Sequence, residues 1–284
     1  NEPLVSIIIN CFNGEKYLEE CLRSIKQQTY KNIEVIFWDN KSTDKSAKIF
    51  KNIKSKNFFY YFSQKHTTLY EARNLAFKKT TGDFISFLDV DDFWSETKIE
   101  KQVNTFLEEN DLGVVYCNQS IYDNRSNKKK KYINKFSNKV PESIKILNRV
   151  GATLLTSLIK KEYFLKFKNG FIESYNIIGD LDILYKLSKI CVFKYIDEEL
   201  AVYRLHEDNY SKEKKEEEIK ELEHWYNEHF KKINNFNNAE QQAIYNTILL
   251  RKCILYILKK RKRKALETIL KLDKNLIKFK LILS

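Results

Sequence analysis

The apolar run Val5–Ile9, VSIII, stops short of Asn13-Gly14 and gives way to a helical pattern, and the same strand-then-helix unit recurs through the first hundred residues. Its continuous β-branched character and its length suit a strand buried on both faces. In the stretch that follows, Leu18, Cys21, Leu22 and Ile25 fall at i, i+3, i+4 and i+7, which leaves one apolar helix face and one charged face. The next unit has a strand over Glu34–Trp38, a polar loop over Asp39–Thr43, and a helix through Ile53 with Asp44 or Ser42 as its candidate cap. Phe58–Phe62 reads as a third strand, Leu69–Lys79 as a helix, Thr81-Gly82-Asp83 as a turn and Phe84–Leu88 as a fourth strand. This alternation predicts βαβ units in an α/β fold with a mostly parallel central sheet and flanking helices. Such sheets bind ligands beyond the carboxyl ends of their strands.

Beyond the helix containing Ile99, Val103, Phe106 and Leu107 the pattern changes. Val114–Asn118 reads as a strand, Asn124–Lys131 as a polar, lysine-rich loop, and a mixed α+β arrangement is expected to about residue 210. From Lys212 the chain is rich in Glu and Lys and has no Gly or Pro, so three helices are expected, at about 212–231, 239–260 and 262–280. The expected division is a catalytic domain over 1–211 and a basic helical extension over 212–284. With 284 residues, 43% of them hydrophobic, one full core and an appendage can be buried.

The chemistry concentrates where strands meet acids. In FLDVDDFW, residues 87–94, an apolar strand runs into Asp89, Asp91 and Asp92. Carboxylates crowded at a strand end repel one another and resist desolvation, and a hard divalent cation relieves both costs. Oxygen ligands of this kind suit Mg²⁺ or Mn²⁺, which complete their shells with water and substrate phosphates. A D-x-D pattern alone is also met by a solvated turn in which Asp92 caps the next helix. A second acidic loop, Asp39 to Asp44, follows another strand of the same sheet, so the two loops are expected at one edge, one for a nucleoside and one for metal and pyrophosphate. Taken alone, Asp39 is equally well read as an Asx-turn.

The segments VSIIINCFN, QTYKNIEVIFWDNKSTD, EARNLAFKKTTGDFISFLDVDD, IIGDLDILYKL and YRLHEDNYS, in this order, resemble family 2 of the inverting glycosyltransferases, over about residues 4–211. That resemblance implies a GT-A fold, Rossmann-like, and a transferase that takes its sugar from a nucleotide diphosphate donor with Mn²⁺ or Mg²⁺. By its motifs, Asn10, Phe12, Asn13 and Asp39 surround the nucleotide, with Arg73, Asp89 and Arg204 also on the donor. Asp91, Asp92 and His206 hold the metal, and Asp180, with Asp182 as the alternative, is the catalytic base. Uridine is the first expectation for the nucleobase, and Asn40 stands where many relatives have a second Asp. Asp180 and Asp182 also lie at a helix start, where a carboxylate serves equally as a cap.

Residues 251–284 hold twelve Lys/Arg against Glu267 and Asp273, a net +10 of the chain's +13. These helices either pack with their charges in water or meet an anionic membrane surface. No apolar run approaches the roughly 18–20 residues of a membrane span, no signal pattern opens the sequence, and the five cysteines are scattered without a C-x-x-C pair. A cytoplasmic protein, peripheral on the inner face of the membrane, is expected, acting on a glycan or lipid-linked acceptor in the assembly of a polysaccharide. Two competing readings are a nucleic-acid-binding protein that uses the basic helices, although no nucleic-acid motif is present, and a nucleotidyltransferase, although no Gly-rich phosphate loop follows the first strand.

Overall fold

Among the described residues nine strands form one sheet, in the order Phe58–Phe62 (β3), Ile33–Asp39 (β2), Val5–Cys11 (β1), Phe84–Phe87 (β4), Ser157–Lys160 (β8), Leu112–Asp123 (β6), Val192–Leu205 (β9) and Phe93–Trp94 (β5), with Lys128–Lys131 (β7) hydrogen-bonded to β6 off that path. The structure, a computed structural model, describes residues 2–131, 139–168, 170–207, 209, 214–229 and 237–272. It divides into two compact units, Asn1–Tyr132 with Ala152–His206, and Ile133–Gly151 with Glu207–Ser284.

The first unit carries the sheet. Strands β1 (Val5–Cys11), β2 (Ile33–Asp39), β3 (Phe58–Phe62) and β4 (Phe84–Phe87) are parallel to one another. They point their carboxyl ends the same way, and the polar loops after β1, β2 and β4 therefore emerge at one edge. Further across, β8 (Ser157–Lys160) runs antiparallel between β4 and β6 (Leu112–Asp123). The long β9 (Val192–Leu205) is parallel to β6 and takes β5 (Phe93–Trp94) on its other edge.

Alternation along β1 and β2 sorts their side chains between two layers. Val5, Ile7, Ile9 and Cys11 join Val35 and Phe37 in a core completed by Leu18, Cys21, Leu22 and Ile25 of α1 (Leu18–Lys26), Phe50 of α2 (Ser46–Lys51) and Ile99, Val103 and Phe106 of α4 (Lys98–Glu108). The alternate residues, among them Ile8, Asn10, Ile36 and Trp38, take the opposite face, and α3 (Leu69–Phe77) packs on β1 and β2. Tyr70 and Asn74 of α3 then fasten the segment that leads into α7 (Gly179–Ser188). The Tyr70 hydroxyl donates to Ile177 O at 2.9 Å, and Asn74 Nδ2 donates to Phe171 O at 2.9 Å. Gly179 lies against Tyr70, where an added Cβ would come within 2.7 Å of the ring.

Four local expectations are corrected. Residues 128–131 are not loop but strand β7, Lys128–Lys131, paired antiparallel with Ser120–Asp123. Backbone pairing needs no apolar side chain, and four exposed lysines suit a strand with a free edge. The strand begun at Val114 runs from Leu112 to Asp123 because β8 and β9 both pair with it. Asp92 caps no helix: β5 intervenes, and α4 starts at Lys98. The residue before α2 is Lys45, not Asp44 or Ser42, although Asp44 still accepts from Ser46 N, the first residue of that helix, at 2.9 Å and ties it to the first loop by accepting from Glu15 N at 2.9 Å.

The second unit is helical. It holds α5 (Glu142–Leu147), α8 (Lys215–Asn227), α9 (Asn238–Leu258) and α10 (Lys262–Ile269), while the short α6 (Lys161–Phe164) belongs to the first. Helix α9 opens with a reciprocal capping box between Asn237 and Glu240. Thr247 on α9 donates to Leu147 O of α5 at 2.8 Å. The last helix, expected to reach about residue 280, ends at Ile269, where Leu270 caps it and the chain turns through Leu272; residues 273–280, and the ends of the helix placed at 212–231, lie outside the described residues. No described helix is long and apolar enough to cross a membrane.

The sequence gives no warning of Lys98. Its side chain is wholly buried, with Nζ 2.9 Å from Gln102 Oε1 and 3.9 Å from the centre of the Trp94 ring. Burial lowers the ammonium to about 8. An unfolded lysine titrates near 10.4, so between these values the unfolded chain binds more protons and stability rises with pH; below about 8 both states are charged and the cost is constant. Urea unfolding should show stability rising by up to about 3 kcal/mol from pH 8 towards pH 10. Lys98→Met should flatten that rise, and a rise that survives in the variant would assign it to other groups.

Candidate active site

Two loops are laced together at the carboxyl ends of β1 and β2. Asn13 sits at φ 51°, a left-handed conformation that asparagine tolerates better than most residues. Its amide donates to Ser42 Oγ at 3.0 Å, and its own Oδ1 accepts from Thr43 N at 2.8 Å. Asn40 N donates to Cys11 O at 2.7 Å. Asp39, at the last position of β2, is fully buried and accepts from Ser42 N at 2.7 Å and from the Tyr60 hydroxyl at 2.6 Å. The Asx-turn reading of Asp39 thus describes one of its oxygens, and Tyr60 holds the other. Burial and then the Asp39 carboxylate raise the Tyr60 phenol, which stays protonated as the donor.

Asn40 anchors the approach to α3, with Nδ2 on Thr67 O at 2.8 Å and Oδ1 accepting from Thr67 Oγ1 at 3.0 Å. Its carbonyl lies 3.1 Å from His66 Nδ1. The His66 ring lies 4.1 Å from that of Phe12, which is half exposed. The pair offers an aromatic surface beside the buried Asp39. Asn10, in register with Trp38 across β1 and β2, is buried, and its Nδ2 has no hydrogen-bond partner among the described residues.

The third loop follows β4. Asp89 keeps 47% of its side chain exposed and receives Arg73 at 2.7 Å. Arg73 itself is almost wholly buried, its guanidinium 5.4 Å from the Tyr70 ring and 5.9 Å from those of Phe87 and Phe171. Asp91 Oδ2 lies 2.9 Å from His206 Nε2, at the end of β9. Asp92 is turned inward and accepts from Arg204 N at 2.8 Å. Burial, then the neighbouring carboxylates, raise the carboxyl groups of both Asp91 and Asp92. Negative charge at this strand end is therefore under-compensated by the protein.

Arg204 closes the loop from behind. Its Nε donates to Asp91 O at 2.8 Å, its other nitrogens reach Asn124 Oδ1 at 3.3 Å and the Glu20 carboxylate, and the rings of Tyr17, Phe93 and Tyr122 surround it at 4.9–5.2 Å. Asp91, Asp92, Arg204 and His206 are thus brought together, although the metal set does not stand as a preformed trio. Among the described residues, no group of three His, Cys, Asp or Glu side chains is arranged to hold a metal ion. Asp91 and His206 nonetheless fit one end of a divalent site, with hard and borderline donors facing each other and excess acid beside them.

Asp180 and Asp182 differ sharply in environment. Asp182 is fully buried and paired with Lys186 at 2.7 Å. Asp180 is partly exposed, with Oδ1 accepting from Leu181 N at 2.8 Å and its charge felt by Arg73. Asp180 thus belongs to the electrostatic neighbourhood of the Arg73–Asp89 pair. Glu20, Tyr60 and His66 join these groups without a sequence signal, because each owes its place to contacts distant along the chain.

The family model described as glycosyl transferase family 2 matches residues 6–167. An uncharacterized glycosyltransferase of Haemophilus influenzae is 34% identical over 199 residues, covering 69% of this chain and 77% of the relative. An Escherichia coli UDP-Glc:alpha-D-GlcNAc-diphosphoundecaprenol beta-1,3-glucosyltransferase is 38% identical over 118 residues, 42% of this chain and 47% of that one. Against relatives from Rickettsia typhi and Rickettsia felis, the alignment spans only 39% and 35% of their length. In structure, the chain is similar to the mannosyltransferase PcManGT of Pyrobaculum calidifontis in complex with GDP-Man and Mn²⁺, at TM-score 0.64 and 17% identity over 98% of this chain and 83% of that one. It is also similar to S. aureus TarS 1-349 in complex with UDP-GlcNAc, at TM-score 0.61 and 16% identity over 93% and 89%.

The fold is GT-A and the protein is a glycosyltransferase. The chain belongs to glycosyl transferase family 2. That membership does not favour the nucleic-acid-binding or nucleotidyltransferase readings.

Proposed function

We propose that the chain is an inverting, metal-dependent glycosyltransferase that moves a sugar from a UDP-sugar to a glycan or lipid-linked acceptor, in the cytoplasm. The observation that carries this reading is the acid-rich end of β4, where Arg73 meets Asp89 and His206 meets Asp91. It lies on the sheet edge that also carries the Phe12–His66 pair and Asp39. The E. coli relative's name and the UDP-GlcNAc complex of the S. aureus neighbour support uridine, and the Mn²⁺ in the Pyrobaculum complex supports the metal.

In this reading Phe12 and His66 take the face of the base, and Asn10, Asn13 and Asp39 frame the nucleoside. Asp91 and His206 would hold Mn²⁺ or Mg²⁺, Asp92 remaining behind them as the acceptor for Arg204 N. Bound there, the ion supplies positive charge against the departing diphosphate. Arg204 holds this loop in place, and Arg73 fixes Asp89 beside the donor. Asp180 takes the proton from the acceptor hydroxyl as its oxygen bonds to the anomeric carbon from the face opposite the nucleotide. The bond from that carbon to the diphosphate oxygen breaks, its electron pair leaving with the diphosphate. Burial of Asp182 against Lys186 supports Asp180 for this role.

Thermal unfolding with UDP-, GDP- and CDP-sugars in the presence of Mn²⁺ tests the donor. A ligand at about 100 times its Kd adds about 2.7 kcal/mol, a shift of a few degrees for a chain of this size. The UDP-sugars should give the largest shift; a shift confined to GDP-sugars would move the specificity, and none with any nucleotide sugar would contradict the reading.

A further inference from the structure

The hairpin between α9 and α10 presents charge and apolar surface together. Helix α9 ends at Leu258, and Lys260 turns the chain at φ 56°, with Arg261 N donating back to Tyr256 O at 2.8 Å. This left-handed helix closure places six consecutive basic residues, Lys259 to Lys264, at the tip, all exposed. Lys259 pairs with Glu216 and Arg263 with Glu267. Lys260, Arg261, Lys262 and Lys264 form no ion pair among the described residues.

Apolar side chains flank this tip on both helices. Ile257 and Leu258 are 59% and 60% exposed, and Leu266 and Leu270 are 60% and 78% exposed. Leu266 of α10 and Leu270, the residue that caps it, stand four residues apart on one stripe, continued by Lys262, while Ala265 and Thr268 take the buried side. A surface serving only as a soluble charged face has no use for four exposed aliphatic side chains around its cations. A nucleic-acid surface would leave those side chains in water, whereas a bilayer interface takes up both kinds.

We infer that the α9–α10 hairpin docks the protein on an anionic lipid surface, with Lys260, Arg261, Lys262 and Lys264 at the headgroups and Ile257, Leu258, Leu266 and Leu270 entering the interface. This goes beyond the catalytic reading and is independent of it. A surface held by charge alone would release fully with salt, and the apolar contribution makes part of the binding salt-resistant.

The test is flotation of the full chain with vesicles of phosphatidylglycerol and phosphatidylethanolamine, against vesicles of phosphatidylcholine, at low and high salt. The chain should float with the anionic vesicles only, partly retaining binding at high salt. Neutralising these four cations (Lys260→Gln, Arg261→Gln, Lys262→Gln, Lys264→Gln) should weaken binding by about 100-fold or more, each basic residue near such a surface contributing about fivefold. Leu266→Ser with Leu270→Ser should remove the salt-resistant part. All six positions are exposed, so unchanged thermal unfolding and unchanged UDP affinity are expected in both variants and separate this inference from the donor site. Failure of the wild type to float with anionic vesicles at low salt overturns the inference, as does either variant floating like the wild type. Tight binding of a short RNA duplex by a chain that ignores the vesicles would replace it with the nucleic-acid reading.

Discussion

Asp180→Asn is expected to lower turnover by about 10²–10⁴, the usual worth of a general base, while leaving affinity for the donor nucleotide little changed. The substitution keeps the volume of the side chain and its hydrogen bond to Leu181 N, and removes its charge and with it the ability to take a proton. A base that acts on the acceptor contributes in the transition state, so its loss appears in kcat and spares donor binding. Asp182→Asn makes a contrasting control. It breaks a buried contact with Lys186, so it should lower stability, by about 3–5 kcal/mol if the pair behaves as a buried ion pair, with turnover per folded molecule retained. If Asp182→Asn abolished turnover in folded protein and Asp180→Asn did not, the base would be Asp182. If both stayed fully active, base catalysis from this segment would be wrong.

The second large effect is expected at Asp91. Asp91→Asn leaves the loop's main chain free to keep its bond from Arg204 Nε to Asp91 O, yet it removes the charge that faces His206. Donor affinity in Mn²⁺ should fall by about 10–100-fold and turnover by more, because charge on the departing diphosphate grows towards the transition state. Asp92→Ala should act differently. It removes the Oδ1 that receives Arg204 N from inside the protein, so it should loosen the attachment of β9 to the loop and show first as lost stability.

Much of this architecture is legible in the sequence. The first three strands, the apolar face of α1 and the acid-tipped β4 follow from periodicities confined to a few residues, and local patterns are what a sequence displays. The site was legible as a set of acids at strand ends, not as a set of partnerships. Nothing near Arg204 in the sequence announces Glu20, 184 residues away, and nothing near Asp92 announces the backbone of β9. Tyr60 reads as one aromatic of a strand, yet its hydroxyl holds Asp39. His66 reads as a lone histidine in a polar stretch, yet it meets the Phe12 ring. Strand β7 was missed because four lysines carry no hydrophobic period, and β5 because two residues show none. The contrast between Asp180 and Asp182, two residues apart on one helix, became legible only through burial, which decides which carboxylate can meet a second substrate.

Calorimetric titration of UDP into the wild-type protein, with Mn²⁺ and with chelator, tests the central claim most directly: that the acids after β4 bind a donor diphosphate through a divalent ion. The account predicts affinity at least about tenfold tighter with Mn²⁺, the scale of one charge-assisted contact of about 1.4 kcal/mol or more, and no such gain in Asp91→Asn. Equal affinity in Mn²⁺ and in chelator, or an equal gain in the variant, would contradict it.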